Sequence, residues 1–181
     1  MTESSYTENL IKTVIDSSDA NHWDSAVHEW RVIDEEEDTT MSTSCICGHE
    51  GIRYLYTIQN INNNNRLFPI GSECIKKFQI DELSEHVNIT EQMFKLLHAI
   101  EDNQWIDLKS GLFSRKLIQY FYEEGVFEAN SYNNYNGLND MQFLLDMFNK
   151  RSTPTDKQNK KIRGLIGYVI LPYLENKMTV K

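Results

Sequence analysis

The spacing of apolar residues predicts strands early in the chain. Apolar and polar residues alternate from Ile52 to Gln59, which is the pattern of a half-buried β-strand. An asparagine-rich stretch over 60–65 then predicts a hairpin loop, because asparagine tolerates left-handed backbone conformations. The segment from Arg66 to Ile70 predicts the partner strand. Pro69 places that strand at an edge of the sheet, because proline donates no backbone hydrogen bond.

Helical spacing flanks this hairpin on its N-terminal side. An amphipathic helix is predicted from about residue 5 to 16, and a shorter helix over 20–27. The residues from Trp30 to Ile33 then favour an edge strand that leads into a run of acidic residues. Charges at the end of an edge strand discourage pairing with another chain.

Helical spacing returns at about residue 88 and continues to the end of the chain. Four helices are predicted, over 90–102, 110–124, 140–150 and from 155 onward. The last begins with the capping pattern Thr155-x-x-Gln158 and is predicted to kink or end at Pro172.

These elements predict an α+β fold in two parts. Residues 1–87 combine an N-terminal helix with a small antiparallel β-sheet, and residues 88–181 form a C-terminal helical bundle. With 181 residues, of which 40% are hydrophobic, the chain is large enough to bury a core. It has no apolar run near the roughly 18 to 20 residues that span a bilayer, and its start lacks the order of a signal peptide. We therefore expect a cytoplasmic protein without membrane contact.

The negative charge of the chain is concentrated near its N-terminus. The formal net charge is −9. Residues 1–44 carry eleven acidic and two basic side chains, whereas residues 45–181 carry sixteen of each. The densest part comprises Asp34, Glu35, Glu36, Glu37 and Asp38. This run is either a solvated segment that keeps the sheet edge soluble, or a surface that binds a basic partner.

All three cysteines lie in two short segments on either side of the predicted hairpin. Cys45 and Cys47 precede it, and Cys74 follows it at the start of a predicted helix. An odd number of cysteines at this spacing is a poor disulfide framework and a plausible part of a Zn²⁺ site. His49 is the first candidate for a fourth ligand and His28 the second, with water as a further possibility. The alternative is that reduced cysteines fill a small core.

The same residues resemble a known zinc-binding module. The residues that carry the likeness are Glu29-Trp30, Cys45-Ile46-Cys47-Gly48-His49, the strand from Ile52 to Asn60, and Ile70-Gly71-Ser72-Glu73-Cys74-Ile75-Lys76-Lys77-Phe78. Together they are similar to treble-clef modules in proteins of phages, plasmids and other mobile elements. Such modules commonly carry a second cysteine near the helical one, where this chain has Ser72 and Lys77. The resemblance implies a zinc-clamped sheet, in which a structural ion ties the turn to the helix.

One basic cluster lies in the second half of the chain. Lys150 and Arg151 precede the last predicted helix, which carries Lys157, Lys160 and Lys161 in its first turns. Tyr132 and Tyr135 lie in a nearby asparagine-rich loop. Lysine beside tyrosine suits single-stranded nucleic acid, although a solvated helix start or a protein-binding loop would have the same composition.

Three functional hypotheses follow. The first is a non-enzymatic binding protein of phage or mobile-element origin that inhibits a nucleic-acid-targeting defence system of a bacterial host, as anti-CRISPR proteins do. Its partner would be a host protein that handles nucleic acid. The second is a nucleic-acid-binding accessory protein of replication or recombination, with DNA or RNA as its partner. The third is a nuclease-related enzyme, which the lack of a glycine-rich phosphate loop or a nucleophile elbow disfavours.

Overall fold

The computed structural model describes residues 3–102, 104 and 106–179. Within these residues it contains eight α-helices and one three-stranded antiparallel sheet, so the predicted α+β fold is confirmed. The chain divides into two compact units, residues 1–90 and 91–181. No helix in the described part is long and apolar enough to cross a membrane.

The sheet of the first unit has the order β1-β2-β3. Its strands are β1 (Trp30–Glu37), β2 (Tyr54–Asn60) and β3 (Arg66–Gly71). The predicted hairpin is confirmed, since Gln59 pairs with Arg66 across the asparagine-rich loop. The prediction that Pro69 lies in an edge strand is also confirmed.

The acidic run belongs to the sheet, which corrects the prediction that the strand ends at Ile33. β1 continues to Glu37 because Glu35, Glu36 and Glu37 pair with residues 54–56 of β2. A bulge between Val32 and Asp34 inserts Ile33 as an extra residue and shifts the alternation of faces. Backbone pairing with the central strand therefore outweighs the low strand propensity of acidic residues.

Helices and one sheet face enclose the core of the first unit. Helix α1 (Glu3–Asp16) contributes Leu10 and Val14, which are fully buried with Tyr56 and Ile58 of β2. Two further short helices are α2 (Trp23–Ala26), continued by a 3-10 turn over Val27–Glu29, and α3 (Ser72–Lys76). This core supports the turn and the helix that carry the three cysteines.

Helix α4 (Asp81–Glu101) begins nine residues before its predicted start at residue 90. Leu83 and Val87 are four residues apart and both buried, so the apolar face of the helix extends further back than the sequence indicated. The predicted boundary at 87/88 and the observed division at 90/91 both lie inside this helix.

The second unit contains helices α5 (Arg115–Glu123), α6 (Leu138–Asn149), α7 (Asp156–Leu165) and α8 (Leu171–Thr179). Helix α5 starts five residues later than predicted because Ser114 caps it, accepting a hydrogen bond from the Leu117 amide. The predicted capping box of Thr155 and Gln158 is confirmed at the start of α7.

Pro172 does not end the last helix. A π-helical segment, Ile166–Ile170, links α7 directly to α8, and Pro172 is the second residue of α8. Proline lacks an amide hydrogen, and its ring crowds the carbonyl four residues earlier. The wider turns of the π-helix before it provide the space that a regular α-helix lacks.

Candidate functional site

A tight turn positions the first two cysteines. The Gly48 amide donates to the Cys45 carbonyl at 2.7 Å, and the Cys45 amide donates to the His49 carbonyl at 2.8 Å. Gly48 has a φ of 92°, which side chains larger than hydrogen rarely adopt. The Cys-x-Cys-Gly sequence therefore folds into a turn that holds Cys45 and Cys47 close together.

Strand β3 and helix α3 bring the third cysteine to this turn. The Ile46 amide donates to the Pro69 carbonyl at 2.9 Å, which fixes the turn against β3. The Gly71 amide points at the Cys45 sulfur, with a distance of 3.4 Å between N and Sγ. Cys74 then follows in α3, and its Sγ lies 3.6 Å from Cys45 Sγ.

The three sulfur atoms have the spacing of ligands around one metal ion. All lie within 4.8 Å of one another, and all three cysteines are buried and unbridged. Zinc–sulfur bonds of about 2.3 Å give a tetrahedron whose edges are about 3.8 Å. The structure thus brings Cys45, Cys47 and Cys74 together within metal-binding distance.

The three thiol groups also differ in the direction of their pKa shifts. The hydrogen bond between Cys45 and Cys74 lowers the pKa of Cys45, and the Gly71 amide acts in the same direction. Burial raises the pKa of Cys47, and the hydrogen bond to Cys45 raises that of Cys74. A metal ion at this site would bind the deprotonated form of each cysteine, so its binding would release protons.

The candidate histidines lie outside this cluster. Among the described residues, the group of possible metal ligands consists of the three cysteines. His49 is exposed, and its ring lies 5.3 Å from that of Tyr6. His28 is exposed in the 3-10 turn before β1.

Most of the acidic run is engaged within the first unit. Glu37 forms an ion pair with Arg53 at 2.6 Å, and Glu35 lies 3.4 Å from His86 Nε2. Asp38 accepts hydrogen bonds from the backbone and hydroxyl groups of Thr40, Ser42 and Thr43. Hydroxyl donation by Thr40 and Thr43 holds the pKa of Asp38 well below its usual range.

The other two acids of the run are Asp34 and Glu36. Asp34 is half-buried, and its carboxylate accepts a hydrogen bond from the Glu35 amide at 3.1 Å. Glu36 is exposed, and no ion pair involves it in the described part of the chain. It is therefore the residue of the run that is best placed to meet a partner.

The predicted nucleic-acid-binding residues fall into two classes. Lys161 forms an ion pair with the buried Asp140 at 2.7 Å, and Lys150 donates to Gln158 at 2.8 Å. Both lysines therefore have a structural role. The remaining cations, Arg151, Lys157 and Lys160, are exposed, as are Tyr132 and Tyr135.

Two further cations join this cluster that the sequence did not indicate. Lys109 Nζ donates to the Lys150 carbonyl at 2.8 Å, and Arg115 Nε donates to Asn149 Oδ1 at 2.9 Å. Both lie more than thirty residues from their partners in the chain. No local motif could have shown that they meet the C-terminal end of α6.

Comparison with known proteins found no matching family model, no matching curated protein and no matching solved structure. The resemblance to treble-clef modules therefore stays a prediction from the cysteine segments.

Proposed function

We propose that Cys45, Cys47 and Cys74 bind one Zn²⁺ ion that ties the turn before β2 to the start of α3. The observation that carries the proposal is the convergence of three buried thiol groups within 4.8 Å. Thiolates are soft ligands that suit zinc. A buried, thiolate-rich set is typical of structural sites, whose binding energy stabilises the fold.

A fourth ligand would complete the tetrahedron. His49 is the first candidate because it follows Cys47 by two residues in the same turn, and it would have to turn away from the Tyr6 ring. His28 and water are the alternatives. We expect His49→Ala to weaken zinc binding and His28→Ala to leave it unchanged, as measured by competition with a chromophoric chelator. The reverse order would assign the ligand to His28, and no effect of either change would favour water.

Cobalt substitution tests the thiolate ligands directly. Co²⁺ in such a site gives a sulfur-to-cobalt absorption band in the near ultraviolet whose intensity rises with the number of thiolates. We expect this band for the native chain and a weaker one for Cys74→Ser. A band that is unchanged by Cys74→Ser would show that Cys74 is not a ligand. The absence of any band would favour reduced cysteines in a core.

We further propose that the protein is a non-enzymatic binding protein of phage or mobile-element origin. It would act in the cytoplasm of a bacterial host and inhibit a nucleic-acid-targeting defence system, as anti-CRISPR proteins do. The origin is supported by the resemblance of the cysteine segments, and the binding role by charge. Residues 1–90 carry sixteen acids and six bases, whereas residues 91–181 carry eleven acids and twelve bases. A unit of net charge −10 favours a basic partner and disfavours direct contact with nucleic acid.

Charge reversal in this chain tests the acidic contact. Binding is measured to a partner captured from a host lysate. We expect binding that weakens with salt, and a larger loss for Glu36→Lys than for Glu50→Lys. Both residues are exposed acids of the first unit, so the two variants have the same net charge. Equal losses would show that β1 is not the contact, and intact binding in both would refute the acidic-surface proposal. A nuclease-related enzyme and a nucleic-acid-binding accessory protein are the alternatives; for the first of these, we expect no metal-dependent cleavage of DNA or RNA.

A further inference from the structure

The loop before α6 displays two tyrosines on a tightly held backbone. Tyr132 is 91% exposed and Tyr135 75% exposed. Asn134 and Tyr135 have φ angles of 55° and 58°, in the left-handed region. This region is uncommon for a bulky residue such as tyrosine, so surrounding contacts must hold the loop in place.

The buried side-chain amide of Asn133 supplies four of these contacts. Asn133 is 1% exposed, and its Oδ1 accepts from the amides of Asn130 at 2.8 Å and Asn136 at 3.1 Å. Its Nδ2 donates to the Glu128 carbonyl at 2.7 Å and to Asp140 Oδ2 at 2.8 Å. The two tyrosines flanking Asn133 are therefore presented to solvent by a fixed loop.

The same contacts bring the loop to the lysines of α7. Asp140, which binds Asn133 through one oxygen, binds Lys161 Nζ through the other at 2.7 Å. Lys157 precedes Lys161 by four residues and lies on the same face of α7. Lys157 and Lys160 are exposed, and neither has an ion-pair partner within the described ranges.

Further exposed cations lie at the end of α6 that is remote from the tyrosine loop. Helix α6 has 12 residues and is about 18 Å long. The tyrosine loop lies at its N-terminal end, while Lys109 and Arg151 lie at its C-terminal end. Lys150 links that end to α7 through Gln158. Exposed rings and exposed cations thus occupy neighbouring parts of one unit.

We propose that this tyrosine–lysine surface binds single-stranded nucleic acid. It comprises Tyr132, Tyr135, Lys109, Arg151, Lys157 and Lys160. Bases that are not paired can stack on the tyrosine rings, while the cations contact the phosphates. The second unit carries eleven acids and twelve bases, so it has no acidic excess of its own. The inference concerns the second unit alone and is independent of the zinc and acidic-surface proposals.

Fluorescence anisotropy of a labelled oligothymidine with the full chain tests stacking. We expect salt-sensitive binding, and Tyr132→Ala and Tyr135→Ala each weaken it about fivefold or more. Tyr132→Phe and Tyr135→Phe retain the rings and are expected to retain the affinity. Both side chains are exposed, so these variants are expected to fold like the native protein. Alanine variants that bind like the native chain would overturn the proposal.

The salt dependence of binding tests the cations. We expect the Lys157→Gln/Lys160→Gln variant to reduce the slope of log K against log salt by about 1.4, or about 0.7 for each phosphate that is no longer neutralised. Lys95→Gln removes an exposed lysine from another helix of the same unit and is expected to change nothing. An unchanged slope in the double variant would refute the role of α7.

Different probes identify the class of ligand. Oligothymidine and oligouridine distinguish a preference for DNA from one for RNA, and either preference supports the proposal. A duplex that binds as tightly as the single strand would overturn it, because stacked bases cannot reach the tyrosine rings. A lack of binding to all probes at low salt would also overturn it and would assign the tyrosines to a protein partner.

Discussion

The Asn133→Asp substitution changes one group in the buried centre of the tyrosine loop. Aspartate keeps the shape and the acceptor that Asn130 and Asn136 use, but it replaces the donor Nδ2 by an oxygen. That oxygen would face the Glu128 carbonyl, 2.7 Å away, and Asp140 Oδ2, 2.8 Å away. Two hydrogen bonds are removed, and two carboxylates are buried together. We expect a loss of stability of about 3–5 kcal/mol.

Asn134→Asp is the matched control for this change. It adds the same charge to the neighbouring residue, but Asn134 is exposed and its side chain makes no hydrogen bond within the described part of the chain. We expect a change of less than about 0.5 kcal/mol for this variant. Urea unfolding followed by circular dichroism measures both effects. The binding of oligothymidine without urea shows whether Asn133→Asp also weakens affinity while both tyrosines remain.

Two results would refute this reasoning. Equal stabilities of the two aspartate variants would show that the donor group of Asn133 contributes little. Full affinity for oligothymidine in a destabilised Asn133→Asp variant would show that the fixed loop is not required for binding.

Two further predictions concern a hydrogen-bonded carboxylate in the first unit and two glycines in the second. Glu29 accepts hydrogen bonds from Asn60 Nδ2 and from the amides of Asp19 and Ala20, so we expect Glu29→Gln to lose about 2–3 kcal/mol at neutral pH in urea unfolding. The hydrogen bond from Asn60 lowers the pKa of Glu29 in the folded protein, so this difference should shrink as the pH falls below about 4.5, and a difference that grows would contradict the sign. A Cβ on Gly137 would overlap the Phe127 carbonyl oxygen, whereas Gly164 in α7 has open space. We therefore expect Gly137→Ala to lose about 1–3 kcal/mol and Gly164→Ala to gain up to about 1 kcal/mol, and the opposite order of unfolding midpoints would contradict the packing.

The sequence predicted those features that depend on local pattern. Alternation in β2, the asparagine-rich turn and the capping box of Thr155 each follow from neighbouring residues. The length of β1 does not, because its acidic end joins the sheet by backbone pairing with β2, which side-chain pattern does not show. The early start of α4 was missed because its first turns carry few apolar residues, of which Leu83 and Val87 are buried.

The candidate sites were predictable to different degrees. The three cysteines could be grouped from the sequence because a hairpin separates the two segments that carry them. A hairpin brings the helix that follows it back to the turn that precedes it. The side chain of His49 could not be placed, since its neighbour Tyr6 belongs to α1. Lys109 and Arg115 were missed because only the packing of the second unit brings them to α6.

The metal content of the native chain tests the zinc site most directly. Elemental analysis of protein purified without added metal, combined with a count of reactive thiols, gives both the ion and its ligands. We predict one Zn²⁺ per chain, three thiols that react only after a chelator is added, and a lower unfolding midpoint of the first unit once zinc is removed. A metal-free chain with the same stability, and thiols whose reactivity a chelator does not change, would contradict a structural zinc site.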